Sequence, residues 1–286
     1  MKRWLQVVFS LVLAFLAASA YAAPAAVVDA VQMPAWVERA GKQMPAAPGM
    51  ELIATDTVRT GAGARLYIKL AEGSIVRLGE NAKLQLLELV PERGGLFKGA
   101  LDVLSGAFRF TTEALAKPRP RDFKLRVSTV TIGIRGTDIW GRSVTQNEIV
   151  CLIEGKIEVG AADEKPVPMD QPRQFYRREK GKTQPVDFIT SERLTEWAKE
   201  TDIAPGNGAA RRGGKWKVTL AHADSKTAAS ALLDQLHAAG YAAESKALGK
   251  GFVVRIAQLP SKAEAEALAA KLRGQHGVTD PKVSNQ

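Results

Sequence analysis

The chain has 286 residues and a formal net charge of +10, with a pI near 9.7, so it is long enough for two packed cores and is biased toward anionic partners. Its single cysteine excludes an internal disulfide, and stability has to come from packing. Nucleic acid is the default partner for such a charge, but the N-terminus argues against it.

Lys2 and Arg3 precede an apolar run from Leu5 to Ala18, which gives way to Ala20-Tyr21-Ala22. A basic start, a short apolar stretch and an A-x-A site mark an export signal over residues 1–22, with cleavage before Ala23. A retained anchor is the competing reading, but the run is shorter than the ~20 apolar residues that span a bilayer. No cysteine follows it to carry a lipid. A basic exported protein in the periplasm meets envelope polymers and membrane surfaces rather than nucleic acid.

From about Ala26 to Val159 the sequence alternates in short apolar stretches, such as Arg65–Leu70, Ser74–Leu78 and Asn147–Leu152. Turn signals at residues 71–73 and 79–81 cut them at roughly ten-residue spacing, which predicts an all-β sandwich or barrel-like domain over residues 26–160. Cys151 sits among Ile149, Val150, Leu152 and Ile153 and reads as a small buried hydrophobe rather than a nucleophile. Residues 161–204 read as an extension of that domain. It carries the basic cluster Arg177-Arg178-Glu179-Lys180 and a short helix from Ser191 to Thr201, capped by Ser191, with Leu194, Trp197 and Ala198 on one face. Residues 205–214, rich in glycine and bearing Arg211 and Arg212, read as a flexible linker.

The last seventy or so residues contain a repeat. Trp216–Leu236 aligns without gaps to Phe252–Leu272 at an offset of 36 residues, so one supersecondary unit is used twice. Each copy reads strand then helix. Val218 and Leu220, like Val254 and Ile256, form the buried face of a strand. Ala229, Leu232, Leu233 and Leu236 form one helical stripe, and Ala265, Leu268, Ala269 and Leu272 form the other. Ser261 and Glu264 make a capping-box pattern, and Gly240 and Gly274 stand where helices stop. Further strands are expected near residues 242–247 and 278–284. The result is an α+β unit over residues 215–286, a four-stranded sheet with two helices on one face and the other face bare.

Alternation puts Lys217, Thr219, Val253 and Arg255 on that bare face. The same fold with aromatics there would be a platform for single-stranded RNA, but no aromatic ring occupies these positions. Ammonium, guanidinium and hydroxyl groups suit a sugar polymer bearing acetamido and carboxylate groups, through charge-assisted hydrogen bonds. The plain alternative is a set of solvated strand residues.

The repeated unit resembles the SPOR (sporulation-related repeat) domain, a ferredoxin-like, RNP-type fold. Lys215–Leu220 and Phe252–Ile256 are similar to its two signature strands. The resemblance implies binding to peptidoglycan glycan strands stripped of their stem peptides, often at the division septum, with Lys217, Thr219, Val253 and Arg255 as contact positions. Thr219 stands where that family usually has Gln, and Ala221 and Ala257 where it usually has Gly.

Residues 49–159 resemble the FecR-type (ferric-citrate-regulator) periplasmic domain. The resemblance is carried by Asp56–Gly61, Gly73–Leu78, Gly106–Phe110 and, most specifically, Thr131-Ile132-Gly133-Ile134-Arg135-Gly136-Thr137, followed by Leu152–Val159. Gly133 and Gly136 are expected at backbone bends, with Thr137 and Asp138 tying a corner and Arg135 paired and partly buried. The resemblance implies a module that presents a surface to another envelope protein or polymer. It leaves a second reading, signalling or regulation through the FecR-like domain, although the cytoplasmic segment through which the namesake regulator reaches a sigma factor is replaced here by the export signal.

No catalytic constellation emerges. His222, His237 and His276 have no metal-ligand spacing, G-x-S-x-G is absent, and Gly61-Ala62-Gly63 is a lone GxG that reads as a turn. The chain reads as a binding protein without enzyme activity, cofactor or metal, and a wall-lytic enzyme is the remaining alternative.

Overall fold

The computed structural model describes residues 24–91, 96–112, 121–134 and 136–285. The expected export signal, residues 1–22, and Arg135 lie outside the described residues.

The N-terminal unit is two β-sheets face to face. One sheet runs in the order β18 (Ala209–Arg211), β1 (Ala26–Gln32), β6 (Arg65–Leu70), β7 (Ile75–Leu78), β9 (Phe97–Thr111), β12 (Asp138–Val144), β13 (Asn147–Glu154), β16 (Gln174–Glu179) and β17 (Lys182–Phe188). The other runs β3 (Lys42–Pro45), β2 (Ala35–Arg39), β5 (Thr57–Thr60), β8 (Lys83–Pro91), β9 again, β10 (Arg121–Val127), β11 (Val130–Ile134), β14 (Ile157–Ala161) and β15 (Val167–Met169). The polar stretch after residue 160 thus adds strands to both sheets.

β9 belongs to both sheets. Its first half pairs with β8 and, in parallel, with β10; its second half pairs with β7 and β12. Gly106 stands at the crossing with φ of 85°, and a Cβ there would lie 2.5 Å from Ala82 Cα. Only glycine makes this bend. Between the sheets, Val28, Ile68, Leu84, Leu101, Phe108 and Phe110 are buried, and the Phe110 and Phe123 rings meet at 4.8 Å. Each such side chain contributes about 1.5–3 kcal/mol through burial.

Trp140, Ile149 and Cys151 form a smaller cluster on the outer face of the first sheet, covered by α1 (Ser191–Lys199). Trp197 of α1 stacks on Trp140 at 4.6 Å. The helix is capped one residue earlier than its sequence suggests, because Thr190, not Ser191, accepts from Arg193 N at 3.3 Å. Burial pushes the Cys151 thiol up to about 12, in keeping with an inert core residue.

The C-terminal unit has the predicted α+β architecture. β19 (Trp216–Ala223), α2 (Lys226–Ala238), β20 (Glu244–Leu248), β21 (Gly251–Leu259), α3 (Lys262–Leu272) and β22 (Lys282–Asn285) follow in chain order. The antiparallel sheet has the order β20-β21-β19-β22. Val218, Leu220, Val254 and Ile256 are buried under the helices, as are Ala265, Leu268, Ala269 and Leu272 from α3. Gly240 and Gly274 take φ of 82° and 75° just past the helix ends.

Residues 205–214 are not a flexible linker. Residues 209–211 form β18 and pair with β1, and Ala209 and Ala210 are buried. The cause is Glu264. Ser261 Oγ does cap α3 by accepting from Glu264 N at 3.2 Å, but the Glu264 carboxylate does not close the capping box. It is 6% exposed and accepts from the backbone N–H groups of Gly206 (2.6 Å), Gly208 (2.6 Å) and Ala209 (2.9 Å). Gly208 has φ of 74°, and a Cβ there would lie 2.9 Å from Leu268 N. Its glycine serves close approach, not mobility.

The two units therefore share one contiguous apolar cluster, with the helix layer lying against the β domain. Trp36 Nε1 donates to Ala238 O at 3.2 Å, Ala35 N to Gly240 O at 3.1 Å, and Lys271 Nζ to Met33 O at 2.7 Å. Burial pushes the Lys271 ammonium below its ordinary value. Among the described residues no helix is long and apolar enough to cross a membrane.

Candidate functional site

Docking through the helices leaves the far side of the C-terminal sheet uncovered. Antiparallel register sets its side chains in rows across the strands. One row reads Lys282, Thr219, Arg255 and Glu244, and a second reads His222, Val253 and Lys246. Lys217, two residues before Thr219 on β19 and opposite Ser284, lies in the next row along the strand. A bulge after Thr219 shifts the alternation, so that His222 rather than Ala221 joins Val253.

The four residues expected on this face are all there and all half-buried, but they are not equivalent. Arg255 is not a free cation. Its Nε donates to Glu244 Oε1 at 2.8 Å, and its side chain is only 15% exposed. Lys217 has no carboxylate partner among the described residues. Thr219 offers a hydroxyl between Arg255 and Lys282, and Val253 offers an apolar step between His222 and Lys246.

Sequence reasoning missed Glu244, Lys246 and Lys282. Lys246 Nζ lies 3.9 Å from Glu244 Oε1, and Lys282 pairs with Asp280 at 2.6 Å with both side chains about two-thirds exposed or more. Such exposed pairs are worth about 0–1 kcal/mol and yield readily to another anion. The signal was present in Glu244-Ser245-Lys246, where charges alternate with a small residue along an edge strand. Two acids, Glu244 and Asp280, against four cations, Lys217, Lys246, Arg255 and Lys282, leave the face cationic, able to hold carboxylates through charge-assisted hydrogen bonds.

The glycine-rich motif in the β domain is built into the scaffold. Asp138 accepts from Arg109 Nε at 2.9 Å, Arg109 Nη2 at 2.6 Å and Thr111 Oγ1 at 3.2 Å, which holds the Arg109 guanidinium above its ordinary value. Thr137 ties the corner through its carbonyl, which accepts from Thr112 N and Oγ1. Gly136 makes a bend with φ of 75°. Gly133 does not; it lies within β11, its φ is not positive, and an added Cβ would meet nothing within 4 Å.

The histidines are dispersed. His222 is exposed, His237 Nε2 contacts Ala243 O at 2.7 Å, and His276 tilts against the Tyr241 ring. Among the described residues no group of three metal-binding side chains comes together.

Comparison with protein families assigns both units. The FecR protein family matches residues 56–158, and the SPOR domain family matches residues 212–281. The chain carries a FecR domain followed by a SPOR domain. SPOR domains bind peptidoglycan, and both domains are typical of envelope proteins. No curated protein matches the chain. Two crystal structures of a candidate anti-sigma factor from Parabacteroides distasonis ATCC 8503 are similar in part, each at 12% identity and a TM-score of 0.41. The first, at 1.65 Å resolution, covers 50% of this chain, which spans 64% of its length. The second, at 2.50 Å, covers 65% of this chain and 74% of its own.

Proposed function

We propose that this is an exported, periplasmic protein that holds denuded peptidoglycan glycan strands on the helix-free face of its SPOR domain, with the FecR domain serving as an interaction module for another envelope protein. It acts by binding and not by catalysis. The observation that carries the reading is the uncovered cationic face. The FecR domain rests on the helices, and the opposite side presents Lys217, Thr219 and Val253 to a polymer, with Arg255 at the edge where the two domains meet. Removing stem peptides from the glycan frees lactyl carboxylates, which complement those cations. Paired with Glu244, Arg255 orients more than it attracts, so Lys217 and Lys282 supply the charge that meets the ligand first.

The test is co-sedimentation of the full mature chain with sacculi, intact or stripped by amidase. Recovery should rise on stripped sacculi and fall with salt, because screened charges attract less. Lys217→Glu with Lys282→Glu should weaken binding about tenfold, at about 0.7 kcal/mol per reversed surface charge. Equal recovery with and without sacculi would refute the reading. Septal enrichment, which exposed denuded strands would cause during cell division, is checked by the position of a fluorescent fusion.

A further inference from the structure

A cleft of about 530 Å³ separates the two domains at the β20 edge of the SPOR sheet, within the ~300–1,000 Å³ typical of ligand sites. One wall belongs to the FecR domain and is apolar, with Met44, Pro48 and Met50; the other carries Glu244, Lys246 and Arg255. Met33 lines it as well, so three of the five methionines in the chain converge here. Methionine side chains are unbranched and polarizable, and they mould to irregular apolar surfaces.

Arg255 belongs to both places. It stands third in the row that begins at Lys282, and it lines the cleft. That row crosses four strands, about 14 Å at the usual strand spacing, and points from the bare face into the cleft. A linear polymer following it leaves the sheet where the methionine wall begins.

We propose that the FecR domain completes the glycan site, and that this cleft takes the next carboxylate-bearing acetamido sugar of a strand lying on the SPOR face. Lys246 meets the carboxylate by giving up its 3.9 Å contact with Glu244, while Arg255, held by Glu244 at 2.8 Å, orients it. Met44, Met50 and Pro48 cover the acetamido methyl and the less polar side of the sugar ring. The inference rests on the glycan reading of the SPOR face, and it changes the ligand-contacting unit from one domain to two.

The experiment is oxidation footprinting on the full chain, with soluble glycan oligomers cut from amidase-stripped sacculi as the probe. Dilute peroxide converts exposed methionine to sulfoxide. Met44 and Met50 are half-buried and open to the cleft, whereas Met169 is fully buried and reports on unfolding. Oligomers should slow oxidation of Met44 and Met50 at least fivefold and leave Met169 unchanged. As a second arm, Met44→Glu with Met50→Glu should cut recovery on stripped sacculi about tenfold, while Met44→Leu with Met50→Leu retains it.

If oligomers bind and Lys217→Glu/Lys282→Glu abolishes binding, yet Met44 and Met50 oxidise at the free rate, the cleft is not part of the site and the face reading survives. If no oligomer binds at all, both readings fall. Protection by stem-peptide fragments or lipid vesicles, but not by glycan, also overturns the proposal.

Discussion

Glu264→Ala removes the acceptor that holds residues 206–209 against α3. Charge-assisted hydrogen bonds contribute about 1.5–3 kcal/mol each, and three converge on this carboxylate. Gly206 is exposed and its N–H regains water on truncation, whereas Gly208 and Ala209 are buried and lose their partner without replacement. Counting those two fully, the expected loss is about 3–6 kcal/mol. Glu264→Gln keeps one carbonyl acceptor but turns an NH₂ group toward the remaining donor, for a loss of about 2 kcal/mol. Urea unfolding followed by fluorescence gives the global figure. Hydrogen exchange at residues 206–209 and tryptic cleavage at Arg211 and Arg212 give the local one. Wild-type protein should resist cleavage there, and Glu264→Ala should be cut first at this segment. A loss below about 1 kcal/mol, with 206–209 exchanging as slowly as in the wild type, would refute the account of why the interdomain segment is ordered.

Three further outcomes are expected. The Cys151 thiol, pushed from 9.0 to about 12, should resist alkylation at pH 8 until denaturant is added. Because the folded state keeps that proton, its stabilising contribution is full below pH 9.0 and is lost as pH rises toward 12; fast native labelling would contradict this. Gly240→Ala should cost about 2–4 kcal/mol, since φ is 82° and the added Cβ would lie 2.7 Å from the Trp36 indole; an unchanged melting temperature would contradict the docking geometry. Trp197→Ala should cost about 2–3 kcal/mol by uncovering Trp140, with a red-shifted emission as the check.

The SPOR unit was legible because its sequence states its fold twice. The 36-residue offset aligned strand with strand and helix with helix, and alternation then assigned faces correctly as far as Thr219. It could not show the bulge beyond Thr219 or the register that brings Glu244 beside Arg255, since pairing partners across a sheet are a tertiary property. The interdomain segment was misread for a different reason. Glycine near Arg211 looks the same in sequence whether it frees the chain or lets two backbones meet, and only the neighbour decides. Ser261 and Glu264 carried a correct local pattern whose acidic member is recruited by groups 55–58 residues away. In the β domain the period-two rhythm announced strands, but nothing local marked β9 as common to both sheets.

A ten-residue flexible tether would let its two ends separate by about 18 Å and sample every mutual orientation. The β18 seam and the Glu264 clasp remove that freedom. A ligand lying on the sheet therefore fixes the height and heading of the whole β-sandwich above it. Anything that docks on the outer strands inherits the same bearing, so the molecule is built as a bracket and not as a leash.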